Sequence, residues 1–210
     1  MQKSLTMESC VSMCPEFSAV LLAGGRSSRM GCDKALLPHP VSGLPLIVHQ
    51  ANTLRAAGCA ELFLSVREGA DYPQIGAEVT RITDGGEGGP LPVIDRALGI
   101  ISRPVMFLLA VDMPFVTADL VRRLVALSTP DHGVVARRPD GLEPLCAVYA
   151  KTTWPAFYYA RSEKAYALQP VLSVGVEDGW MRTVDDLDPA AFVNWNSPAD
   201  MAGDQTVRPS

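Results

Sequence analysis

The amino-acid sequence predicts an α/β fold in which helices cover both faces of a mostly parallel central sheet, a three-layer α/β/α arrangement. In the first half of the chain, short apolar segments alternate with segments of helical spacing. Residues 105–111 are uniformly apolar, which is typical of a strand buried on both faces. The chain has 210 residues, 48% hydrophobic and 20% charged, and this suffices for one substantial core. We therefore expect one domain.

The first half of the chain supplies the elements that precede this central strand. Residues 18–22 form an apolar run that ends before Gly24-Gly25, a pattern that predicts a buried strand leading into a loop. A helix is predicted over 45–57, with Gly58 in the left-handed position that often follows a helix. A strand at 62–66 follows, and then a helix that begins at Gly88-Gly89-Pro90 and runs through Leu98, with proline in its first turn.

The second half is predicted from shorter patterns. Thr117 favours the start of a helix over 118–127, because a threonine hydroxyl can accept a hydrogen bond from a backbone N–H of the first turn. The remaining predicted elements are strands at 133–136, 145–149 and 192–194 and helices at 152–160 and 163–172, with a Ser-Pro helix start after the last strand.

Composition limits the classes of partner and location. Residues 1–16 show no sustained period, so we expect a flexible extension there, one domain over 17–203 and a flexible tail over 204–210. No apolar run reaches the roughly 18 to 20 residues of a membrane span, and no secretory signal is evident, so a cytoplasmic location is expected. A formal net charge of -5 argues against a general nucleic-acid binder. We expect a small-molecule partner, with neither nucleic acid nor membrane.

The cysteines and histidines suggest no familiar catalytic motif. Five cysteines without a CxxC pair indicate reduced thiols; Cys10 and Cys14 could ligate a metal, but no second pair of soft ligands accompanies them. His39, His49 and His132 lie in no HExxH pattern, and no GxSxG elbow is present. We interpret the three histidines as surface or packing residues.

The segment from Leu22 to Lys34 has the chemistry of an anion-binding loop. Its glycines let backbone N–H groups approach phosphate oxygens, while Arg26, Arg29 and Lys34 supply positive charge. The spacing matches neither the Walker A motif nor GxGxxG. A mobile surface turn is the alternative reading, which the position directly after a buried strand disfavours. The loop therefore predicts a site for a nucleoside triphosphate.

Two aspartates follow apolar segments that lead toward the same edge of the sheet. Asp112 ends the strongest apolar strand, where one carboxylate with substrate phosphates and water can hold Mg²⁺. The alternative is an aspartate that stabilises the turn at Met113-Pro114. Asp84 could bind a ribose hydroxyl or the base, although a turn-forming Asp-Gly pair explains it almost equally well.

With these residues assembled, the chain resembles the molybdenum cofactor guanylyltransferases, which join GMP to molybdopterin within the Rossmann-like nucleotidyltransferase superfamily. The resemblance runs from about residue 17 to 203. Residues 22–34 are similar to the family signature LAGG-x-S-x-RMG-x-DK, and Asp112-Met113-Pro114-Phe115 resembles its metal-binding segment. Residues 143–149 and 194–200 are similar to further family segments.

The resemblance implies specific roles and partners. Arg29, Lys34 and Asp112 would be catalytic, Asp112 would hold the Mg²⁺ cofactor, and the pterin would lie beside Asn194 and Asn196. GTP would contact Leu22, Ala23, Gly24, Gly25, Lys34, Asp84 and Asp112. The substrates would be GTP and molybdopterin, the product the guanine dinucleotide form of the cofactor and pyrophosphate. Contact with molybdenum-insertion or molybdoenzyme-maturation proteins is also implied.

Two departures from the family pattern concern the base. Ser65-Val66-Arg67 stands where these enzymes often have an asparagine that contacts the nucleotide, and Pro92-Val93 stands where they usually have Ala-Gly. Cytidylyltransferase relatives typically show LAAG, so Gly25 favours guanine. A cytidylyl- or sugar-nucleotide transferase of the same fold and a non-catalytic nucleotide-binding domain are the alternatives.

Overall fold

A computed structural model describes residues 15–24, 33–76, 78–83, 87 and 89–195. Within these residues there are seven strands and five α-helices. The strands are β1 (Phe17–Leu22), β2 (Glu61–Val66), β3 (Thr80–Thr83), β4 (Val105–Ala110), β5 (Gly133–Arg138), β6 (Gly141–Ala150) and β7 (Met181–Val184). The helices are α1 (Leu46–Ala57), α2 (Leu91–Ile100), α3 (Ala118–Leu127), α4 (Trp154–Ser162) and α5 (Leu168–Glu177). Short 3₁₀ turns lie at Lys34–Leu36, Pro73–Ile75, Lys151–Thr153 and Pro189–Phe192.

The seven strands form one sheet in the order β3-β2-β1-β4-β6-β5-β7. Strands β3, β2, β1 and β4 run parallel, β6 is antiparallel to both β4 and β5, and β7 is parallel to β5. The predicted mostly parallel sheet is therefore confirmed. Because the chain moves outward from β1 to β3 and then returns to place β4 on the other side of β1, the strand order reverses between β1 and β4. Such switch points are where open α/β sheets bind ligands.

Helices cover both faces, as the uniformly apolar strand β4 requires. Helices α1 and α3 pack on one face, over Phe107 and Leu109 of β4. Helices α2, α4 and α5 pack on the other face, over Met106 and Leu108. Successive side chains of a strand point to opposite faces, so β4 contributes to both cores and is buried along its whole length. The three-layer prediction is confirmed.

Local signals located several elements correctly. Helix α3 occupies the predicted residues, and the Thr117 hydroxyl accepts a hydrogen bond from the Leu120 N–H at 3.2 Å. Helix α1 ends before Gly58, which has a left-handed φ of 94°. The strands predicted at 18–22, 62–66, 105–111, 133–136 and 145–149 are all present, with ends shifted by up to four residues.

Two predictions in the second half were wrong. The helix predicted over 163–172 begins at Leu168 and continues to Glu177. Pro170 explains the shift, because proline lacks a backbone N–H and is tolerated in the first turn of a helix but not in its interior. Residues 192–194 are not a strand: Phe192 ends a 3₁₀ turn in which Asp188 caps the Ala190 N–H at 2.9 Å. The last described strand is β7, which the sequence analysis did not predict, as it did not predict β3.

Several expectations fall outside the described residues. Residues 1–14 and 196–210 are not described, so the extension, the domain boundaries, the Ser-Pro helix start and the role of Cys10 and Cys14 stay predictions. Among described cysteines, Cys59 and Cys146 are free thiols. No helix in the described part of the chain is long and apolar enough to cross a membrane. The cytoplasmic location stays a prediction.

Candidate functional site

The candidate site lies at the strand ends on either side of the switch point. Beyond β1, the Ala23 N–H donates to Ser65 O at 2.9 Å, and beyond β4 the Val111 N–H donates to Leu22 O at 3.0 Å. These hydrogen bonds keep the strands together for one residue past their ends. The parallel register pairs Leu22 with Ala110, and its extension by two residues brings Gly24 opposite Asp112. Gly24 and Asp112 therefore leave the sheet side by side.

Lys34 and Asp112 meet at this edge although 78 residues separate them. Lys34 Nζ lies 2.8 Å from Asp112 Oδ2, and their side chains are 17% and 20% exposed, respectively. The pair is thus accessible to a ligand yet partly shielded from water. The sequence analysis proposed both residues for one site, and the structure brings them together.

Asp33 anchors the turn that carries Lys34. One oxygen of its carboxylate accepts the Ala35 N–H at 3.0 Å and so caps the 3₁₀ turn that begins at Lys34. The other oxygen accepts the Tyr72 hydroxyl at 2.6 Å. Burial and the Asp33 carboxylate raise the pKa of Tyr72 well above its usual range, so the hydroxyl remains a donor. Tyr72 was not foreseen, because its contact with Asp33 spans 39 residues.

The backbone that follows Asp112 is held from outside the strand. The Trp195 N–H donates to Asp112 O at 2.9 Å, and the Trp195 ring packs edge-on against Phe115 at 6.3 Å. This contact also brings Asn194 to the edge of the sheet that carries Asp112. Asn194 Oδ1 is buried and has no hydrogen-bond partner among the described residues. A buried carbonyl oxygen without a partner costs free energy, so Asn194 is a candidate ligand-binding residue.

Glu143 is a second carboxylate at this edge. Pairing of β4 with β6 ends at Leu109 and Cys146, and beyond it the charge of Asp112 still acts on Glu143, so the two carboxylates lie near each other. Glu143 is buried, accepts from Arg138 at 3.2 Å, and has a raised pKa chiefly because of burial, with the charge of Asp112 adding to the rise. In the sequence Glu143 stands out only as part of a family segment, because it is the fold that brings this residue near Asp112.

Asp112 is a described residue at this edge whose side chain could hold a Mg²⁺ ion. Within the described ranges no group of three or more His, Cys, Asp or Glu side chains could enclose an ion. Mg²⁺ is usually held by one or two carboxylates, with substrate phosphates and water completing its octahedron. Asp112 is a partly exposed hard oxygen donor beside Lys34, which fits that requirement.

Some predicted site residues lie outside the described part of the chain. They are Gly25, Arg29, Asp84 and Asn196, and their roles stay predictions. The described members are Leu22, Ala23, Gly24, Lys34, Asp112 and Asn194, all at the same edge of the sheet.

Two stacked histidines lie beside the segment that follows Asp112. The rings of His39 and His49 are 3.5 Å apart and nearly parallel. Burial lowers the pKa of both rings, and the neighbouring ring lowers that of His49 further. His39 is 6% exposed and touches Pro114 O at 3.0 Å, so the interpretation of all three histidines as surface or packing residues misses this contact.

This stack predicts acid sensitivity of the fold. Because the folded state disfavours protonation, the unfolded state binds more protons once the pH falls below the usual histidine pKa, about 6.5. The free energy of unfolding should therefore be constant at higher pH and decrease as the pH is lowered through that value. His49→Phe keeps a stacked ring and removes one proton-binding site. Between pH 7.5 and 5.5 the free energy of unfolding of this variant should therefore decrease less than that of the wild type. Urea unfolding at the two pH values measures this, and an equal loss in both proteins would contradict it.

Comparisons with known proteins first define the class of protein to which this chain belongs. A family model described as "MobA-like NTP transferase domain" matches residues 19–175, which identifies a nucleotidyltransferase. A probable molybdenum cofactor guanylyltransferase from Carboxydothermus hydrogenoformans is 31% identical, over 87% of this chain and 92% of the relative. A protein of the same description from Pelotomaculum thermopropionicum is 33% identical, over 88% of this chain and 89% of the relative.

A solved structure supports the fold independently. The structure described as molybdopterin-guanine dinucleotide biosynthesis protein A from Archaeoglobus fulgidus superposes with a TM-score of 0.68 at 21% identity, over 89% of this chain and 95% of that chain.

The chain belongs to the molybdenum cofactor guanylyltransferase family. Membership gives it a nucleotidyl transfer role in molybdenum cofactor biosynthesis.

Proposed function

We propose that the protein transfers GMP from GTP to molybdopterin in a Mg²⁺-dependent reaction, which forms the guanine dinucleotide form of the molybdenum cofactor and releases pyrophosphate. The observation that carries the proposal is the 2.8 Å contact between Lys34 and Asp112 at the switch point. An ammonium group and a carboxylate, held together where strand ends open a crevice, form the minimum site for a metal-bound triphosphate. The names of the relatives support the substrates.

In the proposed reaction a terminal phosphate oxygen of molybdopterin attacks the α-phosphorus of GTP. A bond forms between that oxygen and the α-phosphorus, and the bond from the α-phosphorus to the bridging oxygen of the β-phosphate breaks. Lys34 donates charged hydrogen bonds to phosphate oxygens, and the backbone around Gly24 lets the phosphates approach closely. Positioning and electrostatic stabilisation suffice, because the reaction needs no covalent enzyme intermediate.

Asp112 is the residue that would hold Mg²⁺. When bound, the ion would neutralise charge on the reacting phosphates. In this structure the Asp112 carboxylate accepts a hydrogen bond from Lys34. When the nucleotide binds, a phosphate oxygen would replace this carboxylate as a partner of Lys34. Asn194 would face the pterin, where its buried Oδ1 can accept from an N–H of the ring. Contact with molybdenum-insertion or molybdoenzyme-maturation proteins stays a prediction.

Two alternatives remain, and they make different predictions. A cytidylyl- or sugar-nucleotide transferase would use the same edge with another base or acceptor, while a non-catalytic domain would bind nucleotide without turnover. The Lys34–Asp112 pair argues against the non-catalytic alternative, because binding alone has less need of a carboxylate beside the phosphate-binding ammonium. Gly25 favours guanine over cytosine by resemblance only.

Pyrophosphate release in the presence of purified molybdopterin and each of GTP, CTP, ATP and UTP tests the proposal. We expect kcat/KM for GTP to exceed that for CTP by about 100-fold or more, the discrimination expected when a site binds the polar edge of one base. Omitting molybdopterin or Mg²⁺ should abolish release. Preference for CTP would establish the cytidylyl alternative, and tight GTP binding without release would establish the non-catalytic one.

A further inference from the structure

Three consecutive backbone carbonyls after β4 each accept a hydrogen bond from a distant part of the chain. Asp112 O accepts the Trp195 N–H at 2.9 Å. Met113 O accepts from the amide Nε2 of Gln50 in α1, 63 residues away. Pro114 O contacts His39 Nε2 at 3.0 Å, across 75 residues. The turn that carries Asp112 is therefore held at three successive carbonyls.

The hydrogen-bond partners of His39 establish which ring nitrogen carries the proton. The backbone N–H groups of Ser42 and Val41 both point at His39 Nδ1, at 3.1 Å and 3.3 Å, so Nδ1 must be an acceptor. The proton then lies on Nε2, which donates to Pro114 O. The parallel stack on His49 fixes the plane of the ring. His39 is thus a directed donor to the segment that follows Asp112.

Gln50 is a costly residue for packing alone. It is fully buried in α1, and its Oε1 has no hydrogen-bond partner in the part of the chain that the structure describes. Burying an amide oxygen without a partner costs free energy that an apolar side chain of similar shape would avoid. What Gln50 does supply is the donor to Met113 O.

We propose that Gln50 and His39 are positioning residues that aim the Asp112 carboxylate at the metal-bound triphosphate. The inference rests on the proposed function, in which Asp112 holds Mg²⁺. The last hydrogen bond between β4 and β1, from the Val111 N–H to Leu22 O, lies one residue before Asp112, so this pairing does not orient the backbone of residues 112–114. Partners that orient a metal ligand typically change metal affinity or activity by about 10- to 100-fold when removed.

The test measures metal binding directly. Mn²⁺ is titrated by electron paramagnetic resonance into protein saturated with the unreactive analogue α,β-methylene GTP. Gln50→Met removes the donor and keeps the shape, and we expect the Kd for Mn²⁺ to rise about 10-fold, with less than a twofold change in analogue binding without metal. Thr53→Val is the matched control, because Thr53 is also buried in α1 but, within the described residues, donates no hydrogen bond to the backbone of residues 112–114. It should bind Mn²⁺ like the wild type.

A pair of His39 variants keeps the inference testable if Gln50→Met does not fold. His39→Gln retains an N–H donor of similar reach, so its Kd for Mn²⁺ should stay within about threefold of the wild-type value. In His39→Leu the donor is lost, and the Kd for Mn²⁺ should rise about 10-fold, as is typical when a partner that orients a metal ligand is removed. A folded Gln50→Met or His39→Leu with wild-type Mn²⁺ affinity would overturn the positioning role while leaving the proposed function intact. Wild-type protein that binds Mn²⁺ and analogue but does not turn over GTP with molybdopterin would overturn the proposed function alone. Wild-type protein that binds no Mn²⁺ would overturn both.

Discussion

Asp112→Asn should lower turnover of GTP with molybdopterin by about 100-fold or more, the scale of losing one electrostatic stabiliser. The substitution keeps the size of the side chain and one carbonyl oxygen, but it removes the charge that a hard Mg²⁺ ion prefers. Affinity for GTP should decrease only modestly, because Lys34 and the loop still bind the phosphates. A magnesium titration of the initial rate should show half-maximal activity at a higher concentration.

Folding should survive this change, since the backbone contact from Trp195 does not depend on the side chain of Asp112. Asp119→Asn is the matched control: Asp119 lies in the first turn of α3, its side chain is 89% exposed, and it pairs with Arg122 rather than with Lys34. It should retain wild-type turnover. If Asp112→Asn melts like the wild type and turns over at a comparable rate across the titration, Asp112 is a turn residue and the proposed mechanism is wrong.

Lys34→Ala should weaken binding of GTP by about 10- to 100-fold, which corresponds to the roughly 1.5 to 3 kcal/mol of a charged hydrogen bond. The ammonium group would be lost at a partly shielded position, where it carries more weight than on an open surface. Loss of the ion pair with Asp112 should cost the folded protein little, because both side chains retain some exposure. Calorimetric titration with GTP measures the effect.

Lys151→Ala provides the comparison for Lys34. Lys151 Nζ donates to Ile101 O at 2.6 Å, near the beginning of β4 and thus at the edge of the sheet opposite Asp112. Its loss should leave the Kd for GTP unchanged. An unchanged Kd in Lys34→Ala as well would remove Lys34 from the phosphate site.

Elements with a strong local signal were predicted best. The cap at Thr117 and the left-handed Gly58 are properties of a few neighbouring residues, so they mark helix ends without knowledge of the fold. The short strand β7 carries no such signal, because it exists through its pairing with β5. The strand predicted at residues 192–194 failed for a related reason: Phe192 is buried against the core, which does not require a strand, whereas Val193 is exposed.

The candidate site also has a part that the sequence predicts and a part that only the tertiary structure reveals. The sequence alone determined the glycine loop, Lys34 and Asp112 as candidates, because residue types suited to phosphate and metal follow two buried strands whose carboxyl ends share an edge. Only the tertiary structure decided what surrounds them: the Tyr72 hydroxyl on Asp33, the proximity of Glu143 to Asp112, and the donors on the carbonyls of residues 112–114. All of these contacts join residues that are more than 30 positions apart in the sequence. Local sequence encodes what each residue can bind, whereas the packing of distant elements determines which partner it meets.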